Sequence, residues 1–121
     1  LSIACPLTPS TKGIKNKNIL TKMKKNAVII NTSRGPIIDE EDLVKAIEKN
    51  KIYGAALDVF SQEPLSSKSK LFKLDNVFLS PHISGNFSGY QEVMIKQFSD
   101  MLVKFINNKA LKNRVCKKRL Y

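Results

Sequence analysis

Apolar residues recur along the chain in two rhythms. The run Ala27-Val28-Ile29-Ile30 is continuous and β-branched, leads into Asn31-Thr32-Ser33-Arg34 and is stopped by Gly35-Pro36, so a buried strand is predicted over Ala27–Asn31. Beyond it Leu43, Val44 and Ile47 fall on one face at helical spacing. Asp39, followed three residues later by Asp42, supplies an N-cap and an acidic variant of a capping box, which predicts a helix over Asp39–Asn50. Gly54-Ala55-Ala56-Leu57-Asp58-Val59 repeats the buried-strand pattern with small residues that admit close helix packing. Shorter apolar runs predict strands at Leu1–Cys5 and Val77–Ser80 and helices near Asn16–Lys25 and Lys68–Phe72. A last helix over Ser88–Asn107 is marked by Tyr90, Met94, Phe98, Met101, Leu102, Phe105 and Ile106. Strands alternating with helices belong to the α/β class: a mostly parallel sheet with flanking helices.

Composition narrows this picture without changing it. The 121 residues suit one modest domain or part of one, and a 42% hydrophobic content is enough for a core. No stretch approaches the about 18 continuous apolar residues of a membrane span, and no membrane partner is expected. The first residues, Leu1-Ser2-Ile3-Ala4-Cys5-Pro6, lack an initiating Met, do not form a signal peptide and open inside a predicted strand, which suggests a piece of a longer protein. Cys5 and Cys116 lie far apart with no second Cys or His near either, so neither a disulfide framework nor a metal spacing is visible, and a reducing cytoplasm fits best.

The net charge of +11 invites a nucleic-acid reading, but its distribution argues against one. Residues 11–26 carry six Lys and no acid, and residues 100–121 carry seven Lys or Arg against one Asp. Residues 34–63, by contrast, carry four bases against seven acids. The basicity sits on one predicted surface helix and on a tail, residues 108–121, with no aromatic side chains interleaved for stacking. It reads as solvated surface, and no specific nucleic-acid partner is expected.

Candidate chemistry gathers elsewhere. Arg34, Glu63 and His82 each fall in the loop that follows a predicted strand, and Asp58 stands at the end of one. In a parallel sheet those ends share one edge, where open α/β sheets place their ligands. A His exchanges a proton near neutral pH, a neighbouring carboxylate fixes its tautomer, and an Arg grips a carboxylate bidentately. There is no Gly-x-Gly-x-x-Gly, no Walker Lys motif and no nucleophilic Ser or Cys beside the His.

The stretches Cys5-Pro6-Leu7-Thr8-Pro9-Ser10-Thr11, Val28-Ile29-Ile30-Asn31-Thr32-Ser33-Arg34-Gly35, Gly54-Ala55-Ala56-Leu57-Asp58-Val59-Phe60 with Glu63-Pro64, and Ser80-Pro81-His82-Ile83-Ser84-Gly85 together resemble the D-isomer-specific 2-hydroxyacid dehydrogenases, in that family's order and spacing. The resemblance implies a partial Rossmann-like fold. Residues 1–107 would form the second half of a dinucleotide-binding domain together with the carboxyl-terminal helix. It implies NAD or NADP as cofactor, a small 2-oxo or 2-hydroxy acid as substrate, and a homodimeric full-length parent. Arg34 would hold the substrate carboxylate, His82 would be the general acid or base, and Glu63 would be its partner. Asp58 would face the nicotinamide carboxamide, while Cys5, Pro6, Thr11, Thr32, Ser33, Arg34, His82, Ser84 and Gly85 would line the dinucleotide. The family's glycine-rich phosphate loop and most of its substrate domain would lie upstream of Leu1, so the chain alone is expected to be inactive. The alternative is a non-catalytic, dinucleotide-sensing binding protein on the same scaffold, as in corepressors that resemble this family.

If the lysines are only solvated charge, binding to duplex DNA is expected to be weak, independent of sequence and lost near physiological salt. A filter-binding titration across salt concentrations checks this, and salt-resistant, sequence-selective binding would overturn it.

Overall fold

A computed structural model describes residues 1–119 of the chain. Its contacts divide it into two compact units, Leu1–Ser84 and a second that begins at Gly85. The first unit is built on four parallel strands, β1 (Ser2–Ile3), β2 (Val28–Asn31), β3 (Gly54–Leu57) and β4 (Val77–Leu79), which lie side by side in the order in which they occur along the chain. Between them come helix α1 (Lys17–Leu20), a 3-10 turn at Gly35–Ile37, helix α2 (Glu40–Glu48) and a 3-10 turn at Lys70–Lys73. The parallel α/β architecture predicted from the sequence is therefore present, with shorter elements.

The core lies on one side of the sheet. Ile3, Ile29, Ala55 and Leu57 meet Leu20 from α1, Leu43, Val44 and Ile47 from α2, and Leu71 from the second 3-10 turn. The pattern that predicted α2 is the pattern it buries, and its ends follow from its residues. The Asp39 carboxylate accepts from the Asp42 N–H at 3.0 Å, and Glu40, Glu41 and Asp42 place negative charge on the first turn, where the helix dipole favours it. Asn50, at φ 50°, turns the chain out of the helix in the left-handed region, where Asn is among the better-tolerated residues.

Two differences from the predicted elements have local causes. The capping box does not close reciprocally, because the Asp42 carboxylate accepts instead from the Lys17 N–H at 2.9 Å and so caps α1. The helix predicted near Asn16–Lys25 is a single turn. Thr21 bonds back through its hydroxyl to the Lys17 carbonyl at 2.8 Å, and the lysines that follow have no acidic partner on this segment to stabilise further turns.

The other side of the sheet exposes apolar side chains among the described residues. Register places Ser2, Ile30, Ala56 and Phe78 in one row, and Ile30 and Phe78 are 42% and 70% exposed. In the second unit a 17-residue helix, α3 (Tyr90–Ile106), starts at Gly89, whose φ of 83° suits glycine, with Phe87 and Tyr90 meeting edge to face. No residue of α3 is buried, and its Val93, Ile95, Phe98, Val103, Phe105 and Ile106 are all exposed. Residues 108–119 form neither helix nor strand; Leu120 and Tyr121 of the predicted basic tail lie outside the described residues. No helix among the described residues is long and apolar enough to cross a membrane.

One close approach fixes the carboxyl ends of β2 and β3 against each other. A Cβ on Gly35 would lie 2.0 Å from both the carbonyl carbon and the carbonyl oxygen of Phe60, so only glycine fits. Gly35→Ala is therefore expected to destabilise the chain by about 3 kcal/mol, the upper end of typical overpacking. Urea unfolding of the two proteins checks this; equal stability would show that the two loops can separate freely.

Candidate active site

All four strands are parallel, so their carboxyl ends share one edge, and the candidate residues hang from it. The β2 end is shaped by Asn31, which is buried to 1% exposure. Its Oδ1 accepts from the Ser33 N–H at 3.1 Å and its Nδ2 donates to the Arg34 carbonyl at 3.0 Å, closing the turn and leaving the Arg34 side chain exposed. The Arg34 guanidinium donates to the Ser33 carbonyl at 2.6 Å and is in no ion pair among the described residues. The Ser33 hydroxyl donates to the Cys5 carbonyl, tying this turn to the loop after β1. That loop is closed by Thr11, whose hydroxyl donates to the Pro6 carbonyl at 2.7 Å, while Thr32 stays exposed.

The loop after β3 carries the first carboxylate of the pair. Glu63 splits its two oxygens. Oε1 accepts from the Phe60 N–H at 3.0 Å, which folds the loop back on itself, and Oε2 lies 2.7 Å from His82 Nδ1. The Phe60 N–H, then the hydrogen bond from His82, and the nearby charges of His82 and Arg34 hold the Glu63 carboxyl below its usual range against the opposing effect of burial. An ionised carboxylate only accepts, so in the neutral ring Nδ1 carries the proton and Nε2 has no hydrogen-bond partner among the described residues.

Asp58 is a different carboxylate. It is 2% exposed; its Oδ1 accepts from the Ser80 hydroxyl at 2.6 Å and the Ile83 N–H at 2.9 Å, and its Oδ2 accepts from the Ser84 N–H at 2.9 Å. Burial alone would raise its pKa, but hydrogen bonds from Ser80, Ser84 and Ile83 outweigh it and hold the group well below the usual carboxylate range.

The sequence-derived candidates thus fall into bonded sets: Glu63 with His82, Asp58 with Ser84, Ser33 with Cys5, and Thr11 with Pro6. Arg34 reaches Glu63 only through its charge, Thr32 joins none of these sets, and Gly85 opens the second unit. Two residues beyond those candidates shape the site, Asn31 and Ser80. Asn31 is legible as an Asx-turn residue at a strand end, but nothing in sequence shows that Ser80 turns toward Asp58. An apolar cavity of about 680 Å³ lies beside the pair, lined by Phe60, Leu65, Phe72 and Leu79 with Glu63 and His82 on its wall. A larger, open hollow of about 1110 Å³ at the start of α2 contains neither of them, nor Arg34, and the titratable chemistry lies with the smaller one. Among the described residues no three His, Cys, Asp or Glu side chains gather as a metal site requires.

A parallel sheet that presents an Arg, a buried Asp and a carboxylate-paired His from consecutive strand ends is a dinucleotide-binding sheet of the Rossmann type. Residues 1–84 match the family model for the D-isomer specific 2-hydroxyacid dehydrogenase, NAD binding domain, and the chain belongs to that family. It is 40% identical over 115 residues to a glyoxylate/hydroxypyruvate reductase B from Erwinia tasmaniensis, a match covering 95% of this chain and 36% of that protein. It is 55% identical over 84 residues to a glyoxylate reductase from Thermofilum pendens, covering 69% of this chain and 25% of that one. Among solved structures, a D-isomer specific 2-hydroxyacid dehydrogenase from Xanthobacter autotrophicus in complex with NADPH superposes with a TM-score of 0.91 at 32% identity. That match covers 99% of this chain and 49% of the other. The chain thus spans about a quarter to a third of the length of these curated relatives, and it carries an NAD(P)-binding fold.

Both carboxylates have folded pKa values below their ordinary 3.8 and 4.5, so they stabilise the fold above those values and that stability is lost as pH falls through the lower, folded ones. Stability is expected to decline steadily between about pH 5 and pH 2, and Asp58→Asn is expected to flatten that decline. Chemical denaturation at a series of pH values checks the slope; an unchanged slope in the variant would remove Asp58 as its source.

Proposed function

We propose that this chain is the proton-transfer and nicotinamide-side portion of an NAD(P)-dependent oxidoreductase that interconverts a small 2-oxo acid and its 2-hydroxy acid. In this reading residues 1–107 are the second half of the dinucleotide-binding domain with its terminal helix, and residues 108–121 are a basic tail. The observation that carries it is the 2.7 Å pairing of His82 Nδ1 with Glu63 on the strand-end edge that also carries the exposed Arg34. Relatives named as glyoxylate and hydroxypyruvate reductases support the substrate class. The reading also includes a reducing cytoplasm and a homodimeric whole protein.

The donor set fits a nicotinamide dinucleotide. Asp58 Oδ2 makes one hydrogen bond from the loop and keeps acceptor capacity for a carboxamide N–H, and the exposed Thr32 hydroxyl suits a sugar. When bound, the cofactor supplies or accepts the hydride. The chain's own residues do the rest. Arg34 takes the substrate carboxylate in its planar fork and orients the neighbouring carbonyl. Glu63 holds the Nδ1 proton of His82, so a second proton on the ring resides at Nε2, the only ring atom free to give it to the carbonyl oxygen during reduction. In oxidation the same Nε2 removes the hydroxyl proton.

The chain spans about a third of a relative's length, and activity needs the remainder in this reading. Alone, it is expected neither to oxidise reduced nicotinamide in the presence of glyoxylate, pyruvate or hydroxypyruvate nor to bind dinucleotide tightly. Exchanged for the aligned segment of the Erwinia reductase, it is expected to support turnover. In that chimaera Arg34→Lys should raise the KM for the oxo acid about tenfold or more while dinucleotide affinity stays within about twofold. Glu63→Gln and His82→Gln should lower kcat by about 10²-fold or more. Absorbance of reduced nicotinamide measures each rate. Turnover by the chain alone would sink the requirement for the remainder, and a folded chimaera that binds dinucleotide without reducing any oxo acid would point to the non-catalytic binding protein instead.

A further inference from the structure

His82 is the only histidine in the chain, and its backbone sits at φ 55°, in the left-handed region that a β-carbon disfavours. The residues on either side of it supply every hydrogen bond that the Asp58 carboxylate receives: the Ser80 hydroxyl before it, the Ile83 and Ser84 N–H groups after it. The His82 N–H turns inward as well, to the Ser80 carbonyl at 3.1 Å. An extended backbone at residue 82 would carry the Ile83 and Ser84 N–H groups away from Asp58 and leave a buried carboxylate short of donors. The left-handed turn and the full set of donors therefore require each other.

We propose that Asp58 is a positioning residue for His82. By gathering Ser80, Ile83 and Ser84 onto one buried carboxylate, it holds the intervening His82 in the left-handed turn that delivers Nδ1 to Glu63. Asp58 touches neither the imidazole nor Glu63 and acts on them only through the loop. Three features distinguish this from simple termination of β4. The ladder already ends with the Ser80 N–H on the Leu57 carbonyl at 3.0 Å, so the strand needs no further cap. The donors straddle two residues, Pro81 and His82, rather than follow the strand in sequence. Both are exposed, so burial does not hold His82 in place. Hydrogen bonds to an ionised, buried acceptor are of the strong kind, able to hold a disfavoured backbone conformation. The inference rests on the dehydrogenase reading for its catalytic consequence alone; the loop geometry stands apart from it.

Because His82 is the sole histidine, the ring nitrogens of the ¹⁵N-labelled 121-residue chain give unambiguous signals. In the unsubstituted chain the neutral ring is expected to be the Nδ1–H form. In Asp58→Asn one acceptor oxygen becomes a donor facing the loop's own donors. Amide exchange at Ile83 and Ser84 is then expected to rise about tenfold or more, and the neutral ring to move toward the Nε2–H form usual in solution. Exchange at Ile30 and Ala55, whose amides are bonded within the sheet, should stay within about twofold. Ser80→Ala removes one donor and leaves the carboxylate intact, so it should produce the same changes to a smaller extent and decides the matter should Asp58→Asn not fold. Unchanged ring and loop signals in the folded variants would overturn the proposal, as would acceleration throughout the sheet equal to that in the loop. In the chimaera, Asp58→Asn should lower kcat by a larger factor than it weakens dinucleotide binding; a loss confined to dinucleotide affinity would make Asp58 a cofactor contact and nothing more. An inactive chimaera with the His82 ring still held by Asp58 would sink the dehydrogenase reading and leave the clamp standing.

Discussion

The strand-end edge depends on one backbone contact, the seating of Gly35 against Phe60. The turn that presents Arg34 and the loop that presents Glu63 come from different strands, and long side chains alone would leave their separation loose. Contact of main chain with main chain reduces that freedom, because no side-chain torsion lies between the two partners through which to yield. Phe60 also donates its N–H to Glu63, so the residue that bears on Gly35 orients the carboxylate that meets His82. Position is transmitted from β2 to the imidazole through main-chain atoms and two hydrogen bonds.

The two carboxylates of the edge show how one functional group is put to separate uses by its surroundings. Asp58 has lost nearly all contact with water and takes its three donors from one loop, so its charge organises that loop. Glu63 keeps contact with solvent and divides itself between its own turn and the imidazole, so its charge remains coupled to the state of the ring. Arg34, held by its backbone through Asn31 and otherwise exposed, is a further charge of the edge and is in no ion pair among the described residues. An exposed guanidinium, a carboxylate-paired imidazole and an apolar hollow beside that imidazole thus share one edge of the sheet.

Much of this was legible in the residues. The β-branched run ending at Gly35-Pro36 and the apolar spacing of Leu43, Val44 and Ile47 are strong periodic signals, and they correspond to β2 and α2. Arg34, Glu63 and His82 could be found because each stands just past a strand, and parallel strands bring such positions to one edge. The single turn of α1 was not legible, since the reach of a helix depends on partners such as Asp42, which caps α1 from elsewhere in the chain instead of closing its own box. The donors on Asp58 were hidden for a related reason: 22 to 26 residues separate them from it, and local pattern carries no information at that range. The backbone of His82 was equally unreadable, because a left-handed histidine is imposed by its neighbours' bonds and not by its own propensity.

The sheet's strand order has a consequence for how the chain reaches this state. Because β1, β2, β3 and β4 neighbour one another in chain order, each of β2, β3 and β4 has a pairing partner that precedes it in the chain. The connections closed at each step, residues 4–27, 32–53 and 58–76, are of similar length, so the entropic obstacle to pairing is met in nearly equal instalments. Growth of this kind is directional. The edge that carries the Glu63–His82 pair is completed last, when β4 docks and the loop beyond it folds onto Asp58.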